Sequence, residues 1–478
     1  MSKVTIIGAG LAGSLLAIYL AKRDIETHVY EARGDMRLED VAAGRSINLA
    51  LSDRGIAALR EVGMDEYMLA EAMPMYGRMI HAVDGQTRLL PYSGRKGEYI
   101  NSVSRAGLNI ALINEAEKHA GVTFHFNKKC IGFDCLTGET EFSNGSLGKG
   151  DTVIATDGAG SVVREAMARS ILGFELSQVF LEHGYKELHI PPPFDLEKKN
   201  APDGPSVLQL NALHIWPRHK FMMIALPNFD GSFTCTLFLS HKGENSFEEI
   251  NHGSARIDAD QKANLSVLDP CESVAKNILD FFETQFPDAV PFIPTLIDDF
   301  LSNSTGNLGT IKCFPWNVGG KALLLGDSAH AVVPFYGQGM NCAFEDVRVL
   351  DSLIEKHGTD WETVYEEYSS LRKVNTDAIA DMAEENFYEM RDAVADPVFV
   401  RKRELETKLE QTYPDYFSKY SMVTFREDLP YSVAKKRGNA QDRLLMEICS
   451  AIEDINELDL AEVLAKVLYL KYETVQHD

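Results

Sequence analysis

The first 31 residues constrain the fold more than any other part of this 478-residue chain. An apolar run ends in the spacing Gly8-x-Gly10-x-x-Gly13, an amphipathic stretch follows, and a second apolar run closes on Glu31. This order is typical of a strand, a tight turn, a helix and a second strand, in which glycines let the backbone approach a pyrophosphate at the helix N-terminus. A carboxylate about 20 residues beyond the glycines can accept a hydrogen bond from a ribose hydroxyl. The unit therefore predicts a domain that binds a dinucleotide.

The composition argues against several classes of partner. The chain has 47 basic and 71 acidic residues, a net charge of −24, so it has no surplus of Lys and Arg to neutralise a nucleic acid or an anionic membrane. Seven scattered cysteines show no disulfide or metal-binding spacing, and we expect reduced thiols, no metal and a cytoplasmic location. No apolar run is long enough to cross a bilayer. We expect a soluble protein without a membrane anchor.

Two further strand-to-turn units lie downstream. One ends in Asp157-Gly158. In the other, an apolar run leads into Gly326-Asp327, and the glycine-rich string at 337–341 opens a predicted long helix. Free N–H groups at a helix N-terminus favour an anion, and an aspartate at a strand end can bind a sugar hydroxyl. Together with the first unit they predict one extended dinucleotide across several strand ends. The alternative for the second glycine-rich unit is a plain strand–helix crossover. We expect His330, which lies in the same string, to be a capping or packing residue and not a catalytic base.

The three units in this order resemble the class A flavoprotein aromatic hydroxylases, the fold family of para-hydroxybenzoate hydroxylase. Within that family, the chain is most similar to members that hydroxylate kynurenine. The resemblance implies an NADPH- and FAD-dependent monooxygenase that converts L-kynurenine to 3-hydroxykynurenine through a flavin hydroperoxide, in tryptophan catabolism and NAD biosynthesis. The strings that carry it lie at 44–52, 76–81, 183–188, 211–217, 334–342 and 420–425.

The fold that this resemblance implies is an α/β fold in three parts. They are a discontinuous Rossmann-like FAD-binding domain, a second domain with an antiparallel β-sheet for the substrate, and a C-terminal helical region that closes the active site. The expected boundaries are 1–75, 100–175 and 305–360 for the first, 76–99 and 176–304 for the second, and 361–478 for the third. A homodimer is compatible with the resemblance.

The implied cofactor is non-covalent FAD, with NADPH and O₂ as co-substrates. Glu31 and Arg33 are expected to hold the adenosine ribose. Arg105 and Asp157 would flank the pyrophosphate and adenosine, and Asp327 would bind the ribityl chain. Because only one GxGxxG is present, no second Rossmann site is expected for NADPH. The other expected cofactor contacts are Gly8, Gly10, Leu11, Ala12, Gly13, Arg45, Ala50, Gly337, Gly339, Met340 and Asn341.

A free α-amino-acid head requires a charged, hydrogen-bonding clamp in the substrate site. The planar guanidinium of Arg78 matches a carboxylate, and the resemblance implies that Tyr92, Asn386 and Tyr420 complete the clamp. Tyr336 stands where many relatives have His, and we expect a polar ring contact there. The pocket around the substrate ring is expected to consist of Leu213, Met222, Ile224, Phe238, Phe335 and Tyr336.

Two other interpretations stay open at this point. The chain could be a hydroxylase of the same fold for another aromatic amino acid or aromatic acid, although a simple benzoate would not need the four clamp residues. It could also be a flavin-binding scaffold or redox sensor, whose reduction by NADPH would not depend on a small aromatic compound.

Overall fold

The computed structural model describes residues 2–38, 48–148, 150–192, 208–252, 270–392 and 396–475. The predicted cofactor contact Arg45 lies outside these residues. The elements of the first part of the chain are β1 (Lys3–Ile7), α1 (Leu11–Ala21), β2 (Glu26–Tyr30), β3 (Asn48–Leu51), α2 (Asp53–Glu61), α3 (Asp65–Ala70), β4 (Met73–Met75), β5 (Gly77–His81), β6 (Thr87–Pro91), β7 (Ile100–Ser104), α4 (Arg105–Ala116), β8 (Val122–His125), β9 (Cys130–Phe133), β10 (Thr140–Phe142), β11 (Leu147–Gly148), β12 (Thr152–Ala155) and α5 (Val162–Ser170).

The rest of the chain begins with one long strand and ends in helices. Its elements are β13 (Glu175–Ile190), β14 (Ala212–Pro217), β15 (Met222–Pro227), β16 (Phe233–Ser240), α6 (Phe247–His252), α7 (Pro270–Gln285), α8 (Leu296–Ser302), β17 (Gly306–Phe314), β18 (Asn317–Val318), β19 (Ala322–Leu324), α9 (Asp327–His330), α10 (Gly339–His357), α11 (Trp361–Asp392), α12 (Pro397–Thr412), α13 (Lys419–Thr424), α14 (Tyr431–Ser450) and α15 (Leu460–Val475).

A largely parallel sheet has the strand order β18-β19-β12-β1-β2-β8, with only the β18 edge antiparallel. Its central strands are almost fully buried apolar runs, as expected for a parallel sheet covered on both faces. Because β19, β12 and β1 are neighbours and point the same way, the three turns that follow them meet at one edge. Ligands bind at this edge in open α/β sheets.

A second sheet has the order β17-β13-β16-β15-β14-β5-β6. The predicted antiparallel character is confirmed except at one place, where β5 and β14 run parallel and Arg78 pairs with Leu213. One face packs against α6 and α7, and the other packs against the segment 333–336 and the C-terminal helices. The α/β fold class is confirmed, whereas the three domain boundaries stay a prediction.

The helical character predicted from Trp361 onward is confirmed for the described residues. In α6, Phe247 and Ile250 lie one turn apart and are both buried against the second sheet. Six cysteines are free and buried. Within the described ranges, the helices all fall short of the length and apolar character that crossing a bilayer requires.

Candidate active site

The first glycine turn brings two strand ends into close contact. Gly8 has φ +102°, and a Cβ atom there would lie 2.5 Å from the carbonyl oxygen of Thr156. A Cβ on Gly13 would lie 2.1 Å from the carbonyl oxygen of Gly8, so only glycine fits at both positions. A Cβ on Gly10 would meet no atom within 4 Å, so the turn is open beside the N-terminus of α1. The arrangement fits a pyrophosphate that approaches backbone N–H groups. Leu11 and Ala12 form the first residues of that helix.

Glu31 follows β2 and lies against the same turn. Its Oε2 accepts a hydrogen bond from the Ala9 N–H at 2.9 Å, and its Oε1 accepts from the backbone N–H and Nε of Arg33 at 2.9 and 2.8 Å. Burial raises the pKa of Glu31, but the hydrogen bonds lower it more, and the net shift is downward. An ionised acceptor therefore lies where a ribose contact is predicted.

Two buried acceptors beside this turn have no hydrogen-bond partner of good geometry among the described residues. They are Oδ1 of Asp157 and Oδ1 of Asn109. The other oxygen of Asp157 accepts from the Val162 N–H at 2.9 Å, and burial raises the pKa of this aspartate. The Asn109 amide donates to the Ala9 carbonyl at 3.0 Å. Unpaired buried acceptors point to a ligand with O–H or N–H donors, which a dinucleotide supplies. Arg105 is exposed at the start of α4, and its predicted contact stays a prediction.

A buried ionic network on the core side of the Gly326-Asp327 turn holds this turn in place. A Cβ on Gly326 would lie 3.6 Å from that of Ala12, so this turn adjoins the first one, and Asp327 is exposed there. The Gly326 N–H donates to Asp346 at 3.2 Å, and Asp346 also binds His330 at 2.6 Å and Arg372 at 2.7 Å. His330 thus contributes to packing, as predicted.

The same network argues against a metal ion. Ligand atoms of His330, Cys342 and Asp346 lie within 4.8 Å of one another, which is compatible with a cation site by distance alone. The guanidinium of Arg372, however, contacts both Asp346 and Cys342. A buried guanidinium already neutralises the carboxylate, and a second cation beside it would be repelled.

The turn before α10 is joined to β3 by one side chain. Asn341 is fully buried; its Nδ2 donates to the carbonyl groups of Ala50 and Gly337 at 2.8 and 2.9 Å, and its Oδ1 accepts from the Ser52 N–H at 3.0 Å. Gly337 has φ +67°, and a Cβ there would lie 3.0 Å from that of Ala50. Because the Asn341 amide is occupied, a ligand here would contact the N–H groups that open the helix at Gly339 and Met340.

Three predicted clamp residues come from separate elements and form one buried group. The guanidinium carbon of Arg78 (β5) lies 5.0 Å from the ring centre of Tyr420 (α13) and 5.7 Å from that of Tyr92, and the two rings stack at 5.2 Å. The Tyr92 hydroxyl and Nε of Arg78 are buried without a hydrogen-bond partner of good geometry among the described residues. Burial raises the pKa of Tyr92 and of Tyr420, so both hydroxyls stay protonated. Such unpaired donors fit the carboxylate of an amino acid.

Asn386 joins the clamp to the aromatic wall. Its amide donates to the Phe335 carbonyl at 2.6 Å and lies 3.3 Å from Sδ of Met390. The Phe335 ring lies 4.9 Å from that of Phe238, and Tyr336 stacks on Tyr420 at 5.6 Å. The structure thus brings the predicted pocket residues into one cluster, the partly buried members being Leu213 and Ile224 and the buried ones Met222, Phe238, Phe335 and Tyr336.

Sequence reasoning missed the charged residues around the clamp. Oε1 of Glu389 lies 3.9 Å from Nη1 of Arg78, and Arg403, Lys402 and Glu406 line the same cavity from α12. Glu389 follows Asn386 by three residues on α11, so helical spacing could have identified it. The charged residues of α12 could not be predicted to line the site, because a charged helix is expected to face solvent. The cavity has a volume of about 20 Å³, room for about one water molecule.

A family model described as an FAD binding domain matches residues 1–186 and 295–383. The chain is 42% identical to a kynurenine 3-monooxygenase of Myxococcus xanthus, covering 96% of this chain and 93% of that protein. It is 42% identical to one from Flavobacterium johnsoniae and 41% identical to one from Dictyostelium discoideum, with 98% of both chains covered in each case.

Solved structures share the fold at low sequence identity. A 2-methyl-3-hydroxypyridine-5-carboxylic acid oxygenase matches with a TM-score of 0.62 and 19% identity, over 85% of this chain and 97% of that one. The HpxO protein of Klebsiella pneumoniae, in complex with FAD and uric acid, matches with a TM-score of 0.60 and 20% identity, over 85% and 93%. These likenesses agree with the fold class inferred from the sequence.

Proposed function

The chain belongs to the kynurenine 3-monooxygenase family, and we propose that it hydroxylates L-kynurenine to 3-hydroxykynurenine with FAD, NADPH and O₂. The observation that carries the proposal is the buried group of Arg78, Tyr92 and Tyr420 beside an apolar aromatic wall. Its unpaired donors suit the α-carboxylate of an amino acid, and the wall suits an aryl ring.

The residues around the strand ends fit FAD. The open turn at 8–13 would receive the pyrophosphate, Glu31 with Arg33 the adenosine ribose, and Asp157 a donor of the adenosine half. Asp327 would bind the ribityl chain, and the N–H groups at Gly339 and Met340 would stabilise negative charge at the flavin edge. Bound FAD, reduced by NADPH, supplies the activated oxygen that an electron-rich aminoaryl ring attacks.

The protein's own contribution is to position the ring and to exclude water. Arg78 would hold the carboxylate at the buried end of the cavity, which fixes the distance of the ring from the flavin edge. Phe238 and Phe335 would flank the ring, and Asn386 holds the Phe335 carbonyl and so the loop that carries this wall. Because the cavity is enclosed by α11, α12 and α13, closure of these helices would remove water from the reacting groups.

Isotopically labelled O₂ tests this function directly. The protein, loaded with FAD, is incubated with NADPH, L-kynurenine and labelled O₂, and the product is analysed by mass spectrometry. One labelled oxygen on the ring supports the proposal. Consumption of NADPH with only hydrogen peroxide formed would contradict it, and the same run without kynurenine gives the background.

We also propose where the chain acts, how it divides into domains and how it associates. The chain acts in the cytoplasm, which the six free and buried cysteines support. It divides into an FAD-binding domain, a substrate domain and a C-terminal helical region at the boundaries given above. It can form a homodimer, which sedimentation analysis of the purified protein would detect.

A further inference from the structure

A chain of hydrogen bonds crosses the face of the second sheet that lies opposite the clamp. Nδ1 of His81 lies 2.7 Å from Oδ2 of Asp288, in the loop after α7, and its Nε2 lies 2.8 Å from Nδ1 of His214. Nε2 of His214 lies 2.9 Å from the Gln209 carbonyl oxygen. Both histidines are buried, at 4% and 1% exposure. This series, Asp288–His81–His214, is called the histidine chain below.

The acceptor groups at the two ends of the histidine chain determine how many hydrogens its ring nitrogens carry. The Gln209 carbonyl can only accept, so Nε2 of His214 carries a hydrogen. An ionised Asp288 can only accept as well, so Nδ1 of His81 carries a second one. The 2.8 Å contact between the two rings needs a third hydrogen. Three hydrogens on four ring nitrogens make one imidazolium, since two neutral histidines carry only two.

The surroundings assign the charge to His81. Burial raises the pKa of Asp288, but the hydrogen bonds from His81 and from the Trp216 indole lower it more, so the carboxylate is ionised. Burial lowers the pKa of His214 to about 4, so His214 is neutral. His81 is then the cation that faces the Asp288 anion.

The groups packed against His81 complete this account. Trp216 of β14 stacks on it at 4.2 Å, and Nη1 of Arg218, which directly follows β14, donates to its carbonyl oxygen at 3.0 Å. From β6, its pairing partner is Thr87, which does not titrate. The charged or titratable groups that face His81 among the described residues are therefore Asp288, His214 and Arg218.

The histidine chain and Arg78 share one short strand. β5 holds Arg78 on the clamp face and His81 on the opposite face, three residues apart. β6, on one side of β5, is a mostly exposed edge strand, so on the face that carries His81 the strand is held by β14 and by the loop at Asp288. Weakening these contacts would let the strand shift and would move the guanidinium.

We propose that the protonated histidine chain is a positioning device for Arg78, which makes the binding of the substrate carboxylate depend on one buried proton. The inference rests on the proposed function, since the carboxylate is that of kynurenine. Without that proton, two ring nitrogens or a nitrogen and a carboxylate would face each other without a hydrogen, and kynurenine binding would weaken.

The proton count can be measured without any substrate. Nitrogen-15 NMR of the FAD-loaded protein with labelled histidine distinguishes ring nitrogens that carry hydrogen from those that do not. At neutral pH we expect three N–H hydrogens on the His81–His214 pair, assigned with the His81→Gln variant. A count of two overturns the proposal, whatever the protein does with kynurenine.

A matched pair of variants tests the link to Arg78. In His214→Asn an amide oxygen can replace Nδ1 as the acceptor, whereas His214→Leu has a similar shape and no acceptor. We expect the Leu variant to bind kynurenine about tenfold more weakly than the Asn variant at neutral pH, because a buried donor is left unpaired. At saturating kynurenine, kcat should agree within twofold.

Equal kynurenine binding by the two variants overturns the link, because a role in packing alone would not distinguish them. If the Leu variant does not fold, the NMR count decides, and a count of two contradicts the proposal. If the wild type binds no kynurenine at all, the proposed function fails, and the NMR count still tests the protonated chain.

Discussion

In the proposed cofactor site the groups that face the strand ends are mostly backbone, whereas the proposed substrate clamp consists of side chains. The turns at 8–13, 326–327 and 337–341 present N–H groups from chain that is bent at glycines. The clamp takes Arg78 and Tyr92 from a hairpin, and Asn386 and Tyr420 from two C-terminal helices. The first site depends on close backbone approach, and the second depends on tertiary packing of distant segments.

This difference implies that the two sites can be damaged separately. Changing a clamp side chain leaves the strand-end turns intact, so FAD should remain bound. Changing a glycine of the first turn moves β1 and α1, which are part of the main core, so fold and cofactor should be lost together. The predictions below test this separation, beginning with the largest expected effect.

Gly13→Val should prevent formation of an FAD-loaded protein. The new Cβ would lie 2.1 Å from the Gly8 carbonyl oxygen, and the backbone shift required should destabilise the fold by about 3 kcal/mol or more. Flavin absorbance per protein and urea unfolding measure both effects.

Gly10→Ala is the matched control, because a Cβ there meets nothing within 4 Å and the residue has φ −73°. This variant should keep its fold and bind FAD more weakly, since the methyl group occupies the open side of the turn. Wild-type FAD affinity in this variant would show that the pyrophosphate does not bind there.

Arg78→Met should retain FAD and lose kynurenine. Removing the cation from a buried carboxylate site should weaken binding by about 3 kcal/mol, or more than about 100-fold in Kd. Titration of the flavin spectrum with kynurenine measures this. Arg88→Met on the neighbouring β6 is the control: Arg88 is half exposed and paired with Glu404, so its loss should change binding by less than about 0.5 kcal/mol. Similar losses in both variants would contradict the clamp.

Low pH should weaken the buried network of Asp346, His330 and Arg372 beside the Gly326-Asp327 turn. Burial raises the pKa of Asp346, but His330 and Arg372 lower it more, so its folded pKa is below the usual value. A depressed pKa contributes stability that is present above the unfolded pKa of about 4 and is lost as the pH falls through the folded pKa.

Asp346→Asn should therefore be less stable than the wild type at neutral pH and show a shallower decline of unfolding free energy below about pH 5. Urea unfolding at a series of pH values measures the two slopes. Parallel slopes would mean that the pKa of Asp346 is the same in the folded and the unfolded protein, which contradicts a depressed folded pKa.

Tyr92→Phe should weaken kynurenine binding by about 1 kcal/mol and leave stability unchanged or slightly higher, because its buried hydroxyl has no partner of good geometry among the described residues. Tyr365→Phe should have the opposite pattern of effects, on stability and not on kynurenine binding. The Tyr365 hydroxyl bonds to Thr152 at 2.9 Å in the core of the first sheet, so its loss should reduce stability by about 1 kcal/mol without changing kynurenine binding. Thermal unfolding and kynurenine titration of both variants separate the two cases.

The geometry of the proposed cofactor site was largely predictable from the sequence, and the reason is that its residues are close together in the chain. Gly8, Gly13 and Glu31 lie within one strand–helix–strand unit, so their spacing in the chain determines their spacing in space. The role of Asn341 was less accessible, because its amide bonds to β3, almost 300 positions away along the chain.

The clamp could not be derived from periodicity. Arg78 and Asn386 meet only because β5 pairs in parallel with β14 and because α11 crosses that face of the sheet. The resemblance supplied these residues, and the buried charges of α12 were missed since a charged helix is normally solvated. The histidine chain was missed for a similar reason, because Asp288 and His81 meet across 207 positions.

The measurement that tests the central claim most directly compares two ligands in the NADPH-dependent reduction of the bound flavin. One is L-kynurenine, and the other is 2-aminoacetophenone, which keeps the aminoaryl ketone and lacks the amino-acid head. If the side-chain clamp binds the amino-acid head, kynurenine should accelerate flavin reduction. The shortened ketone should leave the rate of reduction near its value without ligand. Equal acceleration by both compounds would contradict the clamp and favour a hydroxylase that recognises the ring alone.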